Sequence, residues 1–124
     1  MPVVRSTEAR RSSTPNATTT TFASPTLGGA QVALWRVEMV PGASGPLHWF
    51  DVEQVWTVLD GAATVDLDGD PVVVGPGDTL VLPPRLPRQV HADPRTGITA
   101  IVTAPGGALA SVPGADPVLP PWIA

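Results

Sequence analysis

The chain has 124 residues, no cysteine, a formal net charge of −4, and seven basic residues that are all arginine. Disulfides, thiolate chemistry and lysine Schiff bases are therefore excluded, and an acidic chain repels phosphate backbones and anionic membranes rather than attracting them. One domain is the expected size class, with enough chain to bury a core without staples.

In chain order, MPVVRSTEARRSS is charged after a few apolar residues and lacks the apolar core of a signal peptide, and no apolar run is long enough to span a bilayer. A cytoplasmic protein is the expectation. Residues 1–25 read as a loose N-terminal arm whose ATTTTFA portion can add an edge strand. Short runs rich in Val, Ile, Thr, Leu and Trp then follow: QVALWRVEMV, QVWTVL, AATVDL, PVVV, DTLVL, RQVHA and ITAIVTA. Each has the length and the β-branched or aromatic content of a strand. Between them stand Pro41-Gly42, Asp60-Gly61, Asp68-Gly69, Gly75-Pro76-Gly77-Asp78 and Pro83-Pro84, which are turn chemistry.

Val52, Val55, Trp56 and Leu59 fall at helical spacing, but their run ends in Asp-Gly and a further Val/Thr run, so a hairpin is the better reading. The expected fold class is all-β, a sandwich or barrel occupying residues 26–112. Residues 113–124 form a proline-rich tail whose Trp122 and Ile123 should dock on the barrel or on a partner.

Gly42, His48 and Gly61 keep the spacing of a metal-ligand motif in which a second His position holds Phe50 and a Glu position holds Gln54. Further along, Pro76-Gly77-Asp78, the strand TLVL and Pro83 lead to Arg88, where a last His would stand. Over residues 31–104 this pattern resembles the cupin family. The resemblance implies a jelly-roll-like double sheet with one open mouth and a central pocket, and a homodimer.

Metal-holding cupins commonly use three imidazoles and a carboxylate. Here His48 keeps a ligand position, Phe50 has no lone pair to donate, Gln54 is a weak neutral ligand, and Arg88 brings a fixed positive charge. His91 lies on the opposite parity of its strand. No metal and no cofactor are therefore expected. Side chains alternate with period two, so His48, Phe50, Gln54 and Trp56 share one face, and Glu53 joins them only if a bulge near Asp51 slips the register. Asp66, Asp68 and Asp70 fit a plain turn better than a calcium loop, which needs a distant Glu.

The candidate catalytic residues are His48 as acid or base, Gln54 as an orienting group and Arg88 as a holder of a carboxylate, enolate or phenolate. Trp35, Val37, Met39, Phe50, Trp56, Leu80 and Leu82 are the candidate ligand-binding lining, although inward Trp and Leu also serve as plain core. The expected function is a metal-independent cupin that binds a small, largely apolar organic molecule in bacterial specialised metabolism. Isomerisation, cyclisation or dehydration by proton transfer is the candidate chemistry. The alternatives are a non-catalytic metabolite-binding or regulatory cupin, and a metal-dependent oxygenase using His48, Gln54 and Glu53. No nucleic acid or membrane partner is expected.

Overall fold

The computed structural model describes residues 2–124. Eleven strands and one 3-10 turn (Ser6–Glu8) account for its regular structure. In chain order the strands are β1 (Arg10–Ser13), β2 (Thr18–Ala23), β3 (Val32–Met39), β4 (Trp49–Phe50), β5 (Gln54–Gly61), β6 (Ala63–Leu67), β7 (Asp70–Val74), β8 (Thr79–Leu82), β9 (Arg88–Ala92), β10 (Ile98–Pro105) and β11 (Ala110–Ser111). A six-stranded sheet in the order β1-β2-β3-β10-β5-β8 faces a three-stranded sheet, β7-β6-β9, with a short β11-β4 pair beside them. All the paired strands run antiparallel. The all-β double sheet is the architecture the sequence pattern implies. No helix among the described residues is long and apolar enough to cross a membrane.

Alternation makes the core. Along β3, Ala33, Trp35, Val37 and Met39 are buried, and along β10, Ile98, Ala100, Val102 and Ala104 are. The run 54–61 is a strand, with Gln54, Trp56 and Val58 buried. Val102 pairs with Trp35 on one side and Trp56 on the other, so it spaces two inward indoles across three strands. The small Ala100 does the same between Val37 and Val58. Large residues beside small ones let such a layer interdigitate without voids. A register shift between β10 and β5 leaves Leu59 outside, where it is exposed.

Two glycines fix the end of the barrel. Gly61 and Gly97 both have positive φ, 73° and 64°. A Cβ on Gly61 would strike the Gly97 carbonyl, and one on Gly97 would strike that of Met39. Only glycine permits both the backbone conformation and the approach. The same corner is tied by Ala62 donating to the Gly97 carbonyl at 2.9 Å.

The N-terminal segment is more ordered than an arm with one optional edge strand. β1 and β2 form a hairpin, β2 lies inside the sheet against β3, and β1 is the edge. Four consecutive threonines suit a pleated surface, and the Thr14 hydroxyl accepts from the Asn16 and Ala17 amides to close the turn. The tail is equally fixed. Ile123 is wholly buried in the core, Thr21 Oγ1 donates to the Trp122 carbonyl at 2.7 Å, and Ser24 Oγ donates to the Ala124 main-chain oxygen at 2.8 Å.

Candidate functional site

A cavity of about 440 Å3 opens between the sheets, within the range of small-molecule pockets. β3 contributes Trp35, Val37 and Met39, β5 contributes Gln54 and Trp56, and β9 contributes Val90. His48 and Phe50 close it from the segment leading into and through β4. The wall is completed by the Thr14–Ala17 turn with Thr19, and by Ala110, Val112 and the tail from Val118 to Trp122. Val118 and Leu119 are 60% and 45% exposed, which makes the tail the rim of the opening.

Of the residues singled out from sequence, His48, Phe50, Gln54, Trp35, Val37, Met39 and Trp56 meet in this one cavity. Leu80 and Leu82 are buried but pack beside it. They lie opposite Trp56 and Gln54 in the β5–β8 ladder, and those larger side chains present the cavity surface there. Arg88 also stands outside the lining. Glu53 is exposed, so no slip turns it inward. His91 occupies the other face of β9, where its Nδ1 hydrogen-bonds Ser44 Oγ at 2.7 Å. Sequence reasoning missed Val90, the Thr14–Ala17 turn and the tail as lining. The Trp122-Ile123 pair was the one available sign.

Three polar groups decide what this interior can do. Gln54 is 1% exposed, and its Oε1 accepts the Trp56 indole N–H at 2.7 Å. That bond identifies the amide orientation and leaves Gln54 Nε2 buried with no acceptor. His48 Nδ1 lies 2.9 Å from the Pro46 carbonyl. A carbonyl only accepts, so Nδ1 carries the hydrogen and Nε2 keeps its lone pair in the neutral ring. Burial lowers the His48 pKa below 6.5, the Pro46 bond partly opposes that, and the positive charge of Arg88 lowers it further.

Arg88 is 1% exposed. Its backbone exchanges two hydrogen bonds with His48, Arg88 N–H to the His48 carbonyl at 2.8 Å and His48 N–H to the Arg88 carbonyl at 3.0 Å. Residues directly opposite in such a pair project to the same side. The guanidinium lies against Phe50, its Cζ 5.6 Å from the ring centroid. Phe50 in turn meets the His48 ring edge-on at 5.5 Å. Nε, Nη1 and Nη2 of Arg88 all lack an acceptor, and burial brings its pKa down to about 10.

These residues do not fit a divalent metal ion. Of the four ligand positions, Phe50 offers no lone pair, Gln54 Oε1 is committed to Trp56, and Arg88 places a cation within the same interior. His48 Nε2 is the single imidazole donor left. Among the described residues no group of three or more His, Asp or Glu converges in a way that could hold a metal.

Comparison with known proteins agrees with the barrel. A family model described as "Cupin domain" matches residues 35–102, more than half of the chain. No curated protein sequence matches at a significant level. The structure of the polyketide cyclase RemF from Streptomyces resistomycificus superposes with a TM-score of 0.75 at 25% identity, over 97% of this chain and 87% of that one. An RmlC-like cupin from Shewanella frigidimarina gives a TM-score of 0.71 at 18% identity, over 86% of this chain and 93% of that one. Salicylate 1,2-dioxygenase from Pseudoaminobacter salicylatoxidans gives 0.72 at 17% identity, over 86% of this chain and 31% of that one. The last two likenesses concern the fold alone.

Proposed function

We propose that this chain, which belongs to the cupin domain family, is a metal-independent cupin that binds a small, largely apolar organic molecule and rearranges it by proton transfer. The observation that carries this reading is the state of His48: a neutral imidazole with a free Nε2 lone pair, lining an apolar cavity, its basic form favoured by burial and by Arg88. In the first step Nε2 takes a proton from a carbon acid, leaving an imidazolium and an enolate. In the second, the imidazolium returns that proton to another atom of the substrate, so isomerisation or ring closure needs no oxidant and no metal. Loss of water from the ring-closed product would give dehydration. The likeness to a polyketide cyclase at 25% identity supports chemistry of this class.

Trp35, Trp56 and Met39 supply the apolar wall for the substrate body, Gln54 supplies a donor on that wall, and Arg88, outside the lining, adds positive charge beside His48. The chain is also proposed to pair as a homodimer through the outer face of the six-stranded sheet, where Val32, Leu59 and Val81 are exposed. Sedimentation of Val81→Asp as a monomer beside a dimeric wild type is the corresponding check.

The function is tested with 1-phenylbutane-1,3-dione, a small apolar carbon acid, by following deuterium exchange at its central carbon by NMR. Exchange above background that persists in a metal chelator and is lost in a folded His48→Gln variant is the expected result. Exchange that survives His48→Gln removes the acid–base role. Saturable quenching of tryptophan fluorescence with no exchange favours a binding-only cupin, and stoichiometric metal in untagged protein restores the oxygenase reading.

A further inference from the structure

Apart from Nε of Arg10, whose two Nη atoms are hydrogen-bonded, the buried side-chain nitrogens that meet no acceptor among the described residues are Nε2 of Gln54 and Nε, Nη1 and Nη2 of Arg88. Both residues are 1% exposed. Buried polar groups are ordinarily paired, and a buried cation is ordinarily matched by an anion, because each otherwise gives up its hydration for nothing. The single salt bridge among the described residues, Arg36 with Glu38, lies on the outer surface. Asp66 has a buried unpartnered oxygen, but it pairs with Gln89, the neighbour of Arg88, and so projects from the opposite face of the three-stranded sheet. Among the described residues nothing serves as the counter-charge.

The location is as informative as the deficit. Arg88 projects on the same side of its ladder as His48, which lines the cavity, and its guanidinium rests on the Phe50 ring, which also lines it. The ring face attracts the cation but accepts no directed hydrogen bond. The Phe50 ring therefore borders both an apolar pocket and an unsatisfied guanidinium, with Gln54 Nε2 as an additional donor beside the pocket.

We infer that Arg88, assisted by Gln54 Nε2, is the recognition site for the carboxylate of a flat, largely apolar organic acid whose body fills the aromatic pocket, reached when the Phe50 ring turns aside. The inference rests on the reading of this cavity as an organic-molecule pocket and adds the substrate's charge and head group. A planar guanidinium offers parallel N–H pairs that match both oxygens of a carboxylate. One guanidinium balances one negative charge, which suits a carboxylate better than a phosphate group carrying nearly two. Replacing family ligand positions by Phe50, Gln54 and Arg88 thus inverts the polarity of the interior, from one that holds a cation to one that holds an anion.

The test is calorimetric titration at pH 7.5 with two probes of one shape, 2-naphthoate and 2-naphthamide. Wild type should bind the acid about 30-fold more tightly than the amide, the size expected for a charge-assisted pair of hydrogen bonds. In Arg88→Met that ratio should fall to about 1 while the amide's affinity stays within about threefold, because only the charged contact has been removed. Phe50→Ala, which removes the screen, should keep the preference for the acid. Equal binding of acid and amide by wild type, or a preference that survives Arg88→Met, overturns the inference and leaves the organic pocket standing. Binding of neither probe overturns the pocket and the inference together. The wild-type ratio needs no variant, so a poorly folding Arg88→Met would not blunt the experiment.

Discussion

Arg88→Met should make the ligand-free protein more stable. The guanidinium is 1% exposed, its nitrogens lack acceptors, and burial has drawn its pKa well below the usual guanidinium range, to about 10. At about 1.4 kcal/mol per pKa unit, that shift corresponds to a penalty on the charged form on the order of 3 kcal/mol at neutral pH. The contact with Phe50 returns about 1 kcal/mol. Methionine keeps most of the aliphatic volume and has no charge to desolvate, so the net gain should be roughly 2 kcal/mol. For a domain of this size that is a rise in Tm of roughly 8 °C, with a higher urea midpoint and an unchanged m value. Thermal unfolding by circular dichroism and urea titration by tryptophan fluorescence measure both. A loss of stability of about 3–5 kcal/mol, the usual cost of breaking a satisfied buried pair, would refute the reasoning by showing that Arg88 has an internal counter-charge.

His48 should titrate below 6.5 in the folded protein. The unfolded chain then binds the proton more readily, so the stability His48 contributes is fully present above pH 6.5 and is lost as pH falls through the folded pKa. NMR titration of the ring checks the pKa, and His48→Gln should flatten the acid slope of the stability curve. Gly97→Ala should destabilise by roughly 3 kcal/mol, because it adds a left-handed backbone penalty to a collision with the Met39 carbonyl. Gly69→Ala, at a positive φ with open space around it, should cost about 1 kcal/mol; equal urea midpoints for the two variants would discount the close approach. Ile123→Ala should cost roughly 2–4 kcal/mol, since the side chain is wholly buried. Faster amide exchange around Trp122 should accompany it, and a change within about 0.5 kcal/mol would show that the tail is not anchored by its core contact.

Strand order along the chain was legible because period-two alternation and turn residues are local signals. QVALWRVEMV and ITAIVTA pack one face inward as they stand, and Gly61 sits where a close backbone approach requires it. The shared inward parity of His48, Phe50, Gln54 and Trp56 was legible for the same reason. Local periodicity says which way a side chain points, but not what it then meets. Leu80 and Leu82 point inward yet pack beside Trp56 and Gln54, a result of strand pairing that no local pattern encodes. The Thr14–Ala17 turn and the Val118–Trp122 tail join the pocket through contacts about a hundred residues apart, such as Thr21 with Trp122.

The sequence by itself determined an all-β barrel, which composition and turn spacing carry, and its resemblance to the cupin pattern located four ligand positions whose side-chain chemistry reads directly from the residues there. Tertiary structure decided that Gln54 Oε1 is used by Trp56, that His48 is held with its Nε2 lone pair free, and that Arg88 is buried against Phe50 with no counter-charge among the described residues. Pairing of polar groups is a property of three-dimensional neighbours, so the unmet donors on which the proposed anion site rests come into view only when the sheets close around them.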